Sequence, residues 1–293
     1  MPRRPRSGKP DPPALMILAR TLRRTFLLRG PLPDDGFPFL QADPHLPAPA
    51  ERTEVIDIEP RGDGLVAMTC SWYRHRDRPS IGSARALARF LDEAIFRLAV
   101  SDEVAAPTVN GSVLRIDGIR CLLVTEFEDD PCDLAVSLIL LGAAFEGIYR
   151  VFLHPDGVVA HPVKPRLKHN RLIAAGLSPS HLEWPMLPLD RDTALCAIDP
   201  RMAGVDWSVE EGPIEAVLFV ERNEGGRPAI TRIGGETAFA RLLRNTRSTQ
   251  RLDMRAFIGL RTMIHNAQPF RVSMGDAVSA AALIRAQRTY LHR

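Results

Sequence analysis

Two charged runs in this sequence are of types and spacings that could do chemistry. The first is acidic: Glu126, Glu128, Asp129, Asp130 and Asp133 lie in the stretch EFEDDPCD, with Pro131 and Cys132 among them. Carboxylate oxygens suit a hard cation such as Mg or Ca, or a basic peptide. The run lacks the spacing and glycine of a calcium loop. A solvated loop in which Asp129 or Asp130 caps the following helix accounts for the same residues. The second run is basic: His161, Lys164, Arg166, Lys168, His169 and Arg171. It could grip phosphate, but no aromatic residue interleaves to stack bases, and a solvated connection is the plainer reading. There is no GxSxG elbow and no HExxH pair. Cys70, Cys121, Cys132 and Cys196 stand apart, with no CxxC spacing, so no metal set is expected.

The elements that must position these runs are legible around them. Ser112–Ile116, the turn Asp117-Gly118 and Ile119–Thr125 read as a hairpin. Its second arm, IRCLLVT, is nearly all apolar, as a strand covered on both faces would be. After the acidic run come an apolar helix, Leu134–Leu141, a strand at Ile148–Leu153, the turn His154–Gly157 and a strand at Val158–His161. Strand, loop, helix, strand is the layout of a phosphate-loop unit. Further on, IEAVLFV at Ile214–Val220 reads as a buried strand. Helices are expected at Glu236–Asn245 and Asp253–His265, a short strand at Phe270–Ser273 and a closing helix at Gly275–Arg288.

Before this core, Glu54–Glu59 and Leu65–Tyr73 flank the glycines of Arg61-Gly62-Asp63-Gly64 as a hairpin, and Ser83–Ala99 reads as a helix. Residues 13–29 place Leu15, Leu18, Leu22 and Phe26 at helical spacing, with Arg20, Arg23, Arg24 and Arg29 among them. Residues 31–49 hold six prolines and no periodicity. The expected division is therefore a basic arm, helix and Pro-rich linker at 1–48, and one α/β domain at 49–293.

Composition narrows the function classes. Of 293 residues, 45% are hydrophobic and 25% charged, which excludes a disordered, collagenous or coiled-coil chain. The net charge of +3 argues against a whole-molecule nucleic-acid binder. Eight of the 38 basic residues and one of the 35 acidic ones fall in 1–29, leaving 30 and 34, a net of −4, for the rest. That asymmetry suits an arm that reaches an anionic partner, or a helix that folds back on its own acidic body, over 126–133. No apolar run reaches the ~18 residues of a membrane span. Four scattered thiols suit a reducing compartment, so a cytoplasmic protein is expected.

The pieces GIRCLLVT, LAVSLILLGAAFEGIYRVFLHPDG and HPVKPRLKH, followed by IEAVLFVERNEGG, GGETAFARLLRNT and GDAVSAAALIRA, resemble in order and spacing the HPr kinase/phosphorylase-like family, in particular its HPr-kinase-related members encoded with peptide-modification genes. The resemblance runs from about residue 83 to the end. It implies a mixed, twisted sheet flanked by helices, an HPr-kinase/PEP-carboxykinase-like nucleotide-binding fold, and serine kinase chemistry on a protein or peptide with ATP and Mg. Counted back from Gly142, the family's GxxxxGK[ST] and the residue after it fall on TEFEDDPCD, Thr125–Asp133. The loop Lys falls on Pro131, the Mg-holding hydroxyl on Cys132, and the family's Asp pair on Ile148 and Tyr149.

These departures disable a phosphate cradle. A phosphate loop needs glycines so that successive N–H groups converge, and a Lys to neutralise charge. Here five carboxylates would face a polyanion, and Pro131 removes a donor. Ile148 and Tyr149 cannot hold Mg or act as base. Glu146 sits two positions from Ile148, out of register for the role. The expected protein is thus a pseudokinase without a working Walker A loop, with no catalytic residue, no cofactor, and a protein or peptide partner for which Lys164, Arg166 and Lys168 are possible contacts. A working kinase using ATP and Mg, and an adaptor acting through the basic arm, are the alternatives.

Overall fold

The computed structural model describes residues 15–21, 23–30, 52–72, 79–103, 106–125, 132–168, 186–188, 194–223, 225–248 and 254–291. The acidic positions Glu126, Glu128, Asp129 and Asp130, together with Pro131, lie outside them, as do the Pro-rich residues 31–51, His169 and Arg171.

The chain opens with five strands: β1 (Leu15–Arg20), β2 (Arg24–Arg29), β3 (Arg52–Gly62), β4 (Leu65–Cys70) and β5 (Ser80–Ser83). They form one sheet in that order, with β2 and β3 parallel and the other pairs antiparallel. This corrects the expected N-terminal helix. In β2, Arg24, Phe26 and Leu28 are buried and alternate with half-buried residues, a period of two rather than 3.6. The Leu15–Leu18–Leu22–Phe26 spacing fits a helix on paper. Pairing with β3, residue by residue from Arg24↔Arg52 to Arg29↔Asp57, overrides that local preference. Strands on both sides of the expected boundary at 48/49 therefore share a sheet.

The helix α1 (Ala84–Asp102) follows, capped by the Ser83 hydroxyl, which accepts from the Ala86 N–H. Asp102 and Glu103 end it, where negative charge opposes the helix dipole. Arginines of β2 and the turn before it offset them. Arg24 is buried and grips Asp102 with Nε and Nη2 at 2.6 and 2.7 Å, while Nη1 reaches Glu54. Arg23 Nε lies 2.6 Å from Glu103, and Arg29 lies 3.3 Å from Asp57. Of the basic segment, Arg23, Arg24 and Arg29 fold back on acidic groups of the chain, on strand β2 and the turn before it and onto these four carboxylates.

Next come β6 (Thr108–Val109), β7 (Gly111–Ile116), β8 (Ile119–Thr125), α2 (Cys132–Leu140), β9 (Ala144–Ile148), β10 (Val151–His154), β11 (Gly157–Ala160) and the short β12 (Arg166–Lys168), β13 (Met186–Pro188) and β14 (Ala194–Ala197). The chain ends with β15 (Ala216–Arg222), β16 (Ala229–Arg232), α3 (Gly235–Asn245), β17 (Thr246–Arg247), α4 (Met254–Asn266), β18 (Gln268–Met274), α5 (Ala277–Ala286) and α6 (Arg288–Leu291). The central six-stranded sheet runs β16-β18-β15-β8-β7-β9. Strands β18, β15 and β8 are parallel and the outer pairs antiparallel, so the sheet is mixed, as expected.

Both faces of its centre are covered, which is why IRCLLVT and AVLFV carry no polar alternation. Cys121, Leu123, Leu218 and Val220 join the core under α2 and α5, with Leu134, Leu138, Ala281 and Ile284. Leu122, Val124, Val217 and Phe219 face the other way, against Leu242 of α3 and Leu260, Met263 and Ile264 of α4.

The expected single strand Ile148–Leu153 is corrected to two. β9 ends at Ile148 in the central sheet, while β10 belongs to a four-stranded sheet, β11-β10-β6-β17. The apolar run reads as continuous, but the chain changes sheet at Tyr149, whose φ is +70°. A bulky residue there costs roughly 1–3 kcal/mol and persists only where its surroundings hold it.

One buried ion pair joins these layers. Arg120 of β8 and Glu146 of β9 are 3% and 1% exposed. The guanidinium meets the carboxylate in a fork, Nε to Oε1 at 2.9 Å and Nη2 to Oε2 at 2.7 Å. It also donates to the carbonyls of Val158, Glu210, Gly212 and Pro213. Removing one partner strands a buried charge, so Arg120→Met or Glu146→Leu alone should cost about 3–5 kcal/mol by denaturant melting, whereas the double replacement should recover much of that loss. A single variant with an unchanged midpoint would show that the pair carries no such weight. Tryptic cleavage is expected to spare Arg23 and Arg24 in the native chain and to reach them when Asp102→Ala releases Arg24; equal cutting in both proteins would contradict the clamp.

Candidate functional site

Parallel strands that end together create a crevice at their carboxyl ends, the usual ligand position in open α/β sheets. Here β8 ends at Thr125 and β15 at Arg222. The path from Thr125 to the head of α2 runs through 126–131. Thr125 is held by Asn110: its N–H donates to the Asn110 carbonyl at 3.0 Å, and Asn110 Nδ2 donates to its hydroxyl at 3.0 Å.

The structure brings together three of the residues that the sequence singles out. Cys132, the first residue of α2, is fully buried, and its thiol donates to the Tyr149 hydroxyl at 2.9 Å. The Arg166 backbone N–H donates to both, at 3.1 Å to the Tyr149 oxygen and 3.3 Å to the Cys132 sulfur. The Arg166 guanidinium lies over the Tyr149 ring, 5.7 Å from its centroid. This cluster holds Tyr149 in its left-handed conformation, aided by its own N–H, which donates to the Gly111 carbonyl at 2.8 Å. Loop-side, strand-side and basic-stretch positions thus meet at one point.

Other expected residues go elsewhere. Ile148 is fully buried in the main core. Lys164 pairs with Asp199 at 3.8 Å. Lys168 contributes its backbone to β12 opposite Leu195; its side chain is outside the described residues. Asp133, in the first turn of α2 where the dipole favours an acid, lies 3.9 Å from Arg222. Glu221, at the end of β15, is paired with Arg241. Glu146 is spent on Arg120, with Arg115 at 3.4 Å from it. Among the described residues no group of His, Cys, Asp and Glu is placed to hold a metal ion. Thiol chemistry is also muted: burial pushes Cys70 and Cys121 up to about 12, which leaves them protonated.

Sequence reasoning missed Arg120 and Tyr149 as organising residues. The signal for the first was an arginine inside an otherwise apolar strand, which has to find a buried acid. The sequence singles out the second only as a family carboxylate position filled by a tyrosine, and nothing in its spacing signals the hydrogen bonds it makes.

His161 ends the expected β11 strand and sits fully buried, its ring 4.9 Å from that of Phe96. Neither ring nitrogen has a hydrogen-bond partner among the described residues. Burial first, and then the charge of Arg166, pulls its pKa down to about 3. The unfolded chain binds the same proton near pH ~6.5. The native state therefore keeps its full advantage above that pH and loses it as pH falls toward the folded value, by at most roughly 1.4 kcal/mol per unit. Denaturant midpoints measured at neutral pH and near pH ~5 should fall less in His161→Phe than in the parent. Equal falls would mean that His161 is not the group responsible.

No family model and no curated protein matches this chain. Among solved structures it is similar to the HPr(Ser) kinase/phosphatase from Coxiella burnetii, at a TM-score of 0.33 and 12% identity, over 64% of this chain and 99% of that one.

Proposed function

We propose that this chain is a non-catalytic protein with an HPr-kinase-like fold, a pseudokinase that acts by binding a protein or peptide. The observation that carries the reading is the closed cluster at the head of α2. The position expected to hold Mg through a hydroxyl is the buried thiol of Cys132, and that thiol is engaged by Tyr149, itself at an expected carboxylate position. Mg takes hard oxygen ligands in near-octahedral geometry, and a soft thiol sulfur is a poor substitute. Among the described residues the carboxylates do not make up the loss: Glu146, Asp133 and Glu221 each face an arginine. These residues do not fit a Mg–nucleotide, and no phosphoryl-transfer step is derived from them.

The adaptor alternative is weakened by the fold of the N-terminal strands. Arg23, Arg24 and Arg29 are in ion pairs within the chain and so offer less charge to an anionic surface. Among the described residues no helix is long and apolar enough to cross a membrane.

Calorimetric titration of the full chain with Mg–ATP tests the reading. No saturable heat is expected at ligand concentrations below about 1 mM. A micromolar dissociation constant, lost when residues 126–133 are changed, would overturn it and restore the kinase alternative.

A further inference from the structure

The surface formed by α3 and α4 carries an excess of basic charge. From residue 241 to 266 the sequence holds six arginines and one acid, Asp253. Within the two helices themselves the one acid is Glu236. Arg241 is used against Glu221. Arg244, Arg255 and Arg261 differ from it: all three are exposed, and no carboxylate pairs with them among the described residues.

Between Arg255 and Arg261 on α4 lies apolar surface that the fold leaves open. Met254 is 72% exposed, Ile258 56% and Phe257 38%. Met254, Phe257, Ile258 and Arg261 fall at helical spacings of three, four and seven, on one stripe of α4. The opposite stripe, with Leu260, Met263 and Ile264, is the one buried against the sheet. Phe257 is fixed by an edge-on contact with Phe239 of α3, with ring centroids 5.0 Å apart. The patch therefore rests on two packed helices and not on a loose end. Exposed Met, Ile and Phe gain nothing for the monomer by facing water, and methionine, aromatics and arginine are the residues enriched where proteins meet.

We infer that this face of α3 and α4 docks an acidic peptide segment of a partner protein, one that presents one or two apolar side chains flanked by carboxylates. The apolar side chains would cover Met254 and Ile258, and the carboxylates would take the forked N–H groups of Arg244, Arg255 and Arg261. A lipid surface fits less well. The apolar stripe advances only about 6 Å along the axis before Arg261 and His265 replace it, whereas a helix that lies in a membrane interface is apolar along its length. A nucleic-acid backbone fits less well because the centre of the patch is apolar and would face phosphate. The inference rests on the reading of this chain as a binding protein and supplies the chemistry of its partner.

The test uses the full chain and a fluorescent helical peptide of about 16 residues, with Leu and Phe on one face and Glu elsewhere. A second peptide carries Gln at every Glu, and phosphatidylserine vesicles and a DNA duplex are run beside them. The acidic peptide is expected to bind, more weakly as salt rises from about 50 to 200 mM. Arg255→Glu with Arg261→Glu should weaken it at least about tenfold, and Ile258→Ser about fivefold. Because these side chains are exposed, the variants should keep the parent's melting midpoint. No binding of the acidic peptide, equal binding of the Gln peptide, parent-like affinity in the double arginine variant, or preferential binding of vesicles or DNA through the same arginines would each overturn the inference. The Mg–ATP titration is independent of this outcome: nucleotide binding would remove the pseudokinase reading alone, and a silent peptide would remove the docking face alone.

Discussion

A single arginine near the start of an apolar strand constrains the central part of the fold. Arg120 lies on β8, which is covered on both faces, so its charge has to be met inside. Glu146 meets it from β9, and four backbone carbonyls take the remaining N–H groups. Those carbonyls come from β11 and from the segment at 210–213, so one side chain ties together elements nearly a hundred residues apart. The same geometry needs close backbone approach. A Cβ at Gly157 would come within 2.2 Å of Gly212, so Gly157 is what lets the segment that supplies the carbonyls close on β11. An apolar pair would avoid the desolvation of two charges but would leave these carbonyls without the Arg120 donors. A forked pair also demands one register of β8 against β9, which apolar packing would not.

That constraint explains how the chain leaves the central sheet. With β9 fixed by Glu146, and by the Trp207 indole donating to the Glu146 carbonyl at 3.1 Å, the strand cannot slide to continue as β10. It turns at Tyr149 in a conformation that most residues avoid. The phenol is then carried to the head of α2, where it meets Cys132. The geometry at the candidate site is a consequence of the buried pair, two elements away.

The parts of the fold that were legible in the sequence are those where local pattern and tertiary environment agree. The hairpin Ser112–Thr125 is bounded by Asp117-Gly118, both at positive φ, and its apolar second arm is buried along its whole length. The helices from residue 84 on follow 3.6-residue patterns and end near their expected residues. The failures share one cause. TLRRTFLLR supports either period, and its pairing with β3 across some twenty intervening residues decides the outcome. FEGIYRVFL supports one long strand, and a sheet change decides against it. At the site, the positions of Cys132 and Tyr149 could be matched to a family pattern, but their mutual hydrogen bond depends on the sheet change and had no counterpart in spacing. The charges behaved likewise: Arg23 and Arg24 read as an exposed basic face, yet both complete the unfavourable C-terminus of α1.

The distribution of satisfied and unsatisfied charge then separates the two ends of the proposed function. Around the carboxyl end of the central sheet, Asp133 and Glu221 each have a cationic partner among the described residues, and the thiol at the helix head is buried. Among the described residues these acids are paired, which leaves those side chains little with which to hold a divalent ion. On α3 and α4 the reverse holds, with three exposed guanidinium groups on the same two helices as the open apolar side chains. A kinase concentrates its unbalanced charge where phosphate is transferred, whereas a binding protein carries it on an accessible face. Among the described residues the exposed arginines without a carboxylate on α3 and α4 follow the second pattern, which is the one the proposed recognition role uses.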